Sequence, residues 1–119
     1  MKKLWFFAIL LTGLMACNKE STNTVNLRIA NLSGSDLQNI QVNPSGRLEN
    51  YGDLRVGEVS LYKAFDIVYS YAYIRVNMGD EVYVFQPIDY VGEVPLENGN
   101  YTYELSVVDK SLSIRLKED

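Results

Sequence analysis

The chain has 119 residues and a formal net charge of −4, with no histidine and a single cysteine, Cys17. Nucleic-acid binding needs a basic surface, and no basic run interrupts this acidic balance, so the composition argues against a nucleic-acid partner. Without histidine or a second cysteine, the chain cannot form an intramolecular disulfide, a structural zinc site or the common nucleophile–histidine pairs of hydrolases.

Residues 1–16 have the order of a secretory signal peptide. Lys2 and Lys3 form a short positive region, residues 4–15 are apolar except for a threonine and a glycine, and the small Ala16 precedes the expected cleavage point. The apolar run is too short to cross a hydrocarbon core, which needs roughly 20 helical residues. We therefore expect this leader to be removed.

The motif Leu14-Met15-Ala16-Cys17 resembles the lipobox of bacterial lipoproteins. In that family the cysteine thiol receives a diacylglycerol, the leader is cleaved off, and the new amino terminus is acylated as well, palmitate being an expected chain. The resemblance implies a membrane partner reached through a lipid on Cys17, since several acyl chains together anchor a protein stably. The alternative, an ordinary signal peptide, leaves an unpaired thiol in a secreted protein.

Residues 17–24 are polar and are predicted to be a tether between the lipid and the fold. Lys19 and Glu20 resemble the charged export tags of Bacteroidetes surface lipoproteins, although those tags are usually more acidic. Asn18 is not the aspartate that retains lipoproteins at the inner membrane of enteric bacteria. The expected location is the cell envelope, with the outer membrane, at its periplasmic leaflet or surface, favoured over the inner membrane.

Apolar and polar residues alternate over residues 25–30, which predicts a half-buried strand. A second strand is predicted over 37–42, with a bulge because the apolar spacing slips between Leu37 and Ile40. Proline and glycine residues predict a loop over 43–52, and the next strand is predicted over 59–65.

The clearest hairpin signal covers residues 67–86. Its first half alternates, with Tyr69, Tyr71, Tyr73 and Arg75 opposite in parity to the apolar positions, and it turns at 78–81. Both faces of the second half, 82–85, are apolar, which predicts a central strand covered on both sides. A closing hairpin is predicted over 101–116, after which residues 117–119 are expected to fray.

About seven short strands without an amphipathic helix predict an all-β fold, a single antiparallel β-sandwich over residues 25–119, Ig-like or transthyretin-like. A small barrel is the alternative. Residues 96–103, Leu-Glu-Asn-Gly-Asn-Tyr-Thr-Tyr, resemble a late-strand motif of small Bacteroidetes envelope lipoproteins with such domains. That resemblance implies a fold and no particular activity.

Tyr69, Tyr71 and Tyr73 are the candidate binding surface. Three rings on one face of a strand would lie about 7 Å apart and could stack on sugars or hold a protein partner. The alternative is a packed face of cross-strand aromatic pairs.

The remaining polar features indicate no cofactor and no metal site. Asp80-Glu81, Asp89 and Glu93 lack the spacing of a calcium loop. The sequons at Asn31 and Asn100 are interpreted as coincidental in a bacterial protein.

These observations favour a lipid-anchored, non-enzymatic module of the cell envelope that binds an envelope protein or a glycan. The alternative functions are a structural accessory subunit of an envelope complex and, more remotely, a carboxylate-based hydrolase, because composition does not exclude an acid pair.

Overall fold

The computed structural model describes residues 24–87 and 94–119, and these fold into eight β-strands. The strands are β1 (Val25–Asn31), β2 (Leu37–Asn43), β3 (Glu49–Leu54), β4 (Lys63–Phe65), β5 (Tyr73–Met78), β6 (Glu81–Phe85), β7 (Gly99–Val108) and β8 (Ser111–Glu118). They form two four-stranded sheets, β4-β1-β7-β8 and β3-β2-β5-β6, packed on one core. The predicted all-β sandwich is confirmed, with eight strands instead of about seven. The leader 1–16, Cys17 and the acidic residues Asp89 and Glu93 lie outside the described residues.

Strand β1 is an inner strand of the first sheet and has the buried face that its alternation predicts. Val25, Leu27 and Ile29 are fully buried. The strand pairs antiparallel with β4 and parallel with β7, so Val25 lies opposite Gly99. The prediction of a purely antiparallel sandwich is therefore wrong at this pair. A parallel pair needs a long connection, and here the chain builds the whole second sheet between its two members.

The predicted bulge in β2 is confirmed. The register shifts on both sides of Ile40, and Asn39 has a positive φ of 51°. The loop predicted over 43–52 is wrong at its end, because β3 begins at Glu49. Its buried residues, Tyr51 and Leu54, are three positions apart around Gly52, whose φ is 79°. This irregular spacing hides the strand from a search for strict alternation.

The strand predicted over 59–65 is regular only at β4. Upstream of it, Val59 makes an isolated bridge to Ala30. The hairpin of β5 and β6 is confirmed, and Met78 pairs with Glu81 across a two-residue turn. Strand β6, however, is an edge strand, so the prediction of a central strand is wrong: Val82 and Val84 are 49% and 47% exposed.

Asn31, the first sequon asparagine, is fully buried at the end of β1. Its Nδ2 donates hydrogen bonds to the carbonyl oxygens of Ser35 (2.8 Å) and Leu54 (3.0 Å). Its Oδ1 accepts hydrogen bonds from the main-chain N–H (2.9 Å) and the hydroxyl group (2.7 Å) of Ser33. The side chain thus organises the connection between the two sheets.

The predicted fraying of residues 117–119 is wrong. The carboxylate of Asp119 accepts hydrogen bonds from Tyr62 Oη (2.6 Å) and Thr102 Oγ1 (2.8 Å) and lies 3.4 Å from Arg28 Nε. Desolvation by itself would raise the pKa of Asp119, but these hydrogen bonds and the neighbouring positive charges outweigh it and hold the pKa below its ordinary value.

The two ends of the sandwich differ. Short turns lie at one end, among them Gly79-Asp80 and Asp109-Lys110. At the opposite end the chain enters β1, and Gly99 N–H bonds to the carbonyl of Thr24. We call this the tether end. The loop after β2 lies there too, because Arg47 donates a hydrogen bond to Ala64 on β4.

Candidate functional site

The structure separates the three predicted tyrosines. Only Tyr73 lies in β5, whereas Tyr69 and Tyr71 precede it in the connection from β4. The three rings therefore do not form one strand face. Tyr71 packs edge-on against Phe85, with 6.4 Å between the ring centroids and 66° between the planes.

Tyr69 and Tyr73 meet in an open groove of about 670 Å³ at the tether end. This volume falls within the range of small-molecule sites. The loop after β2 and the end of β6 complete the walls. The described lining residues are Asn43, Pro44, Ser45, Gly46, Leu48, Tyr69, Tyr73 and Gln86. The structure thus brings two of the three predicted residues together.

Two hydrogen bonds hold this groove in shape. The Tyr103 hydroxyl group donates a 2.7 Å hydrogen bond to the carbonyl of Tyr69, which ties the first wall to the core. Asn43 Oδ1 accepts a 2.7 Å hydrogen bond from Gly46 N–H, which shapes the opposite wall as a turn closed by an asparagine side chain. Because Asn43 also pairs with Tyr73 between β2 and β5, both walls are built on the same sheet.

The lining chemistry combines rings with neutral polar groups. The tyrosines provide flat apolar faces, and Ser45 and Gln86 add a hydroxyl and an amide group on exposed positions. None of the eight described lining residues carries a carboxylate. Such a groove can stack on a ring and donate or accept hydrogen bonds, but these residues supply no acid pair.

A polar surface continues from the groove along the outside of the second sheet. Ile74 and Val76 point into the core, so Tyr73, Arg75 and Asn77 point outward. We call the surface made by this row with its polar neighbours on β2 and β3 the amide face. It consists of Gln38, Gln41, Asn50, Tyr73, Arg75 and Asn77, and the exposed Val82 and Val84 of β6 flank it.

Arg75 is the charged residue among the six that form the amide face. Arg28, Arg47 and Arg115 each lie within 3.4 Å of a carboxylate oxygen. The guanidinium group of Arg75 makes no hydrogen bond or ion pair within the described part of the chain, and it is half-buried. The sequence shows that Arg75 lies on the same strand face as Tyr73, because the two residues are two positions apart. It does not show which residues lie beside Arg75, because these come from the neighbouring strands β2 and β6.

Asn77 shows a second unmet hydrogen-bonding group on the amide face. Its Oδ1 is buried, and no described residue donates a hydrogen bond to it. Asn77 pairs with Gln38 on β2 and Val82 on β6. Buried polar atoms are usually satisfied, so this acceptor is an exception within the described part of the chain.

A second depression contains acidic side chains that bond to the main chain. It has a volume of about 490 Å³ and contains Asp36, Asp53 and Glu58. Each of these carboxylates accepts a hydrogen bond from a main-chain N–H group, at 3.1, 2.9 and 2.7 Å respectively. Across residues 24–87 and 94–119, no three acidic or cysteine side chains are grouped as metal ligands.

Within the same two stretches, no helix has the length and apolarity to cross a bilayer. Comparison with known proteins adds no assignment: no family model, no curated protein and no solved structure matches the chain, so its function has to be argued from the groove and the amide face.

Proposed function

We propose that the chain is a lipid-anchored protein of the bacterial cell envelope whose β-sandwich is a non-enzymatic, glycan-binding module. The observation that carries the binding role is the groove, in which Tyr69 and Tyr73 share about 670 Å³ with neutral polar side chains. Tyrosine faces stack on sugar rings while amides and hydroxyl groups bond to sugar hydroxyls.

The strand order supports a transthyretin-like relationship over an Ig-like one. In Ig domains the first two strands, A and B, belong to the same sheet. Here β1 and β2 lie in different sheets, so the orders β4-β1-β7-β8 and β3-β2-β5-β6 depart from the Ig arrangement and favour the transthyretin-like alternative. A shared fold of this kind implies no activity, so the function rests on the site.

The anchor part of the proposal rests on the lipobox resemblance at Cys17. Seven residue steps separate Cys17 from Thr24, and a fully extended chain spans at most about 3.6 Å per residue, or about 25 Å. Because the groove lies at the tether end, a lipid on Cys17 would keep it close to the membrane surface. The glycan would then be one that lies near that surface.

Mass spectrometry of the protein from a membrane fraction tests the anchor. We expect a mature chain that starts at Cys17 and carries acyl chains. Cys17→Ala should leave the protein out of the membrane fraction and still folded, judged by its β-sheet circular dichroism. An unmodified Cys17, or a chain cleaved elsewhere, would refute lipidation.

Substitution of the groove tyrosines tests the binding role. On an array of neutral and acidic oligosaccharides, the detergent-solubilised protein should bind at least one class. Tyr73→Ala and Tyr69→Ala should each weaken that binding about fivefold or more, if stacking of a sugar ring on tyrosine is worth as much as stacking of a nucleic-acid base on an aromatic side chain, on the order of 1–3 kcal/mol. Tyr62→Ala, which lies just before β4 of the other sheet and contacts Asp119, is the control and should bind as wild type. Equal binding by all four proteins would refute the groove as the site.

A protein partner is a second candidate, and the exposed edge of β6 favours it. Val82 and Val84 are half exposed on a strand that has a sheet neighbour on one side only. Such an edge can accept a further strand from a partner. An accessory subunit of an envelope complex would use it. Val84→Lys should then abolish co-purification of that partner, whereas glycan binding at the groove should persist.

A further inference from the structure

We infer that the glycan is acidic and that Arg75 binds its carboxylate or sulfate group on the amide face. This inference rests on the proposed glycan binding at the groove and specifies the ligand class. It is carried by the position of Arg75, by its missing counter-charge and by the neutral groups around it.

Arg75 lies close enough to Tyr73 for one ligand to contact both residues. Tyr73 and Arg75 are two residues apart on β5 and project from the same face, so their Cα atoms are about 7 Å apart. A sugar stacked on Tyr73 in the groove therefore places the next ring of the chain over Arg75. One oligosaccharide can contact both residues without any change in the fold.

Arg75, in contrast to three other arginines, has no counter-charge among the described residues. The chain is acidic overall, and Arg28, Arg47 and Arg115 each form an ion pair with a carboxylate. The cross-strand neighbours of Arg75 are Gln41 and Val84, which are uncharged. A half-buried guanidinium group that has no acceptor among residues 24–87 and 94–119 can bind a planar, bidentate anion.

The surrounding groups favour a sugar over an acidic peptide. Gln41 and Asn50 pair across β2 and β3, and Gln38 pairs with Asn77 across β2 and β5. Side chains directly opposite lie about 5 Å apart, and an amide group can both donate and accept hydrogen bonds. Asn50 contributes mainly its donors, because its Oδ1 already accepts a 2.8 Å hydrogen bond from the Gly52 N–H. A hydroxyl-rich ligand can satisfy such a row. A peptide offers this row one main-chain donor and one acceptor per residue, whereas each sugar ring presents several hydroxyl groups.

The test measures binding of matched sugar pairs to the detergent-solubilised full-length protein. The panel holds carboxylated and sulfated oligosaccharides, each with its carboxyl-reduced or desulfated counterpart, and calorimetry reports the affinity. Wild type should bind the acidic member at least tenfold more tightly than the neutral one, and added salt should reduce that difference. Arg75→Gln should remove the difference while leaving neutral binding unchanged, and Arg75→Lys should restore part of it.

Lys110→Gln is the matched charge control. Lys110 makes no ion pair in the described part of the chain and lies at the opposite end of the sandwich. Lys110→Gln and Arg75→Gln each remove one positive charge. If the position of Arg75 matters, and not the net charge, only Arg75→Gln should change the preference for acidic sugars. Thermal melts of both establish that each folds.

The outcomes separate the two proposals. Equal affinity for acidic and neutral sugars, lost in Tyr73→Ala and unchanged in Arg75→Gln, would overturn the acidic-ligand inference and support glycan binding. No affinity for any sugar of the panel would overturn both. Binding of polyglutamate at Arg75 in place of the sugars would overturn the inference in favour of a peptide ligand.

Discussion

The hydroxyl group of Tyr103 donates a 2.7 Å hydrogen bond to the main-chain carbonyl of Tyr69. Tyr103 is fully buried on β7, whereas Tyr69 forms a wall of the groove. The bond therefore joins the core of the first sheet to the segment that shapes the candidate site beside the second.

Tyr103→Phe should weaken both stability and groove binding. Loss of one such hydrogen bond lowers the free energy of unfolding by about 1 kcal/mol. Because the wall at Tyr69 is then less restrained, we also expect weaker affinity for any ligand of the groove. Urea unfolding and calorimetric titration of the same preparation measure the two effects.

Tyr51→Phe is the matched control. The Tyr51 hydroxyl group donates a 2.8 Å hydrogen bond to the carbonyl of Leu27, away from the groove. Burial, with the charge of Glu49, raises the pKa of Tyr51, so this hydroxyl group stays protonated and remains a donor at neutral pH. We expect a similar loss of stability with unchanged binding. If both variants lost binding equally, the coupling through Tyr69 would be wrong.

Asn31→Ala should destabilise the fold strongly. The change removes four hydrogen bonds at a fully buried position and leaves the carbonyls of Ser35 and Leu54 without this donor. Buried groups left unsatisfied cost about 1–3 kcal/mol, and we expect a loss of at least about 2 kcal/mol in denaturant unfolding. Asn100→Ala, at the exposed second sequon, should change stability by no more than about 0.5 kcal/mol. Comparable losses in the two variants would contradict this account.

Asp119 should make stability depend on acid pH. Its pKa is lower in the folded state than the ordinary value of 3.8, so the folded state favours the ionised form. The resulting stabilisation is present above that ordinary value and is lost as the pH falls through the lowered folded-state pKa. Denaturant midpoints from pH 7 to pH 2 should therefore fall less steeply for Asp119→Asn than for wild type. Asp66→Asn, at an exposed position, should follow the wild-type curve.

Lys110→Gly should stabilise the closing hairpin. Asp109 and Lys110 have φ values of 52° and 63°, as in a type I′ turn, where glycine is favoured at the second position. Relief of the left-handed backbone should raise the free energy of unfolding by about 0.5–1 kcal/mol, after allowance for the freer unfolded chain. Gly79→Ala makes the opposite kind of change in the turn between β5 and β6. The added Cβ would have no atom within 4 Å, so the φ of 64° by itself should lower the free energy of unfolding by about 1 kcal/mol. A lower urea midpoint for Lys110→Gly would refute the strain argument.

Alternation in the sequence was sufficient for the elements with one buried face. It predicted β1, the bulged β2, β5 and the hairpin of β7 and β8, because apolar and polar residues alternate along each of them. Strand β6 was predicted from the turn at 78–81, since both of its faces are apolar and neither is buried. Alternation missed β3, in which Gly52 shifts the buried positions to a spacing of three. Local pattern thus predicts a strand only where the strand is regular.

The site was predictable in part for the same reason. Parity placed Tyr73 and Arg75 on one face, and both lie there. It could not show that Tyr69 leaves that face to line a groove with the loop after β2, because that contact joins segments about twenty residues apart along the chain. Nor could it show that Arg75 has the uncharged Gln41 and Val84 as its cross-strand neighbours, since they come beside it only through strand pairing.

The sequence by itself determined the strand-forming character of the chain, its acidity, its lack of histidine and the lipobox resemblance at Cys17. These are properties of residue types and their local order. The tertiary structure alone decided that β1 pairs parallel with β7, that β6 lies at an edge with its valines exposed, and that Asp119 is held by Tyr62 and Thr102. Each of these depends on which distant segments pack together, and residues far apart in the chain meet only when the two sheets close over their common core.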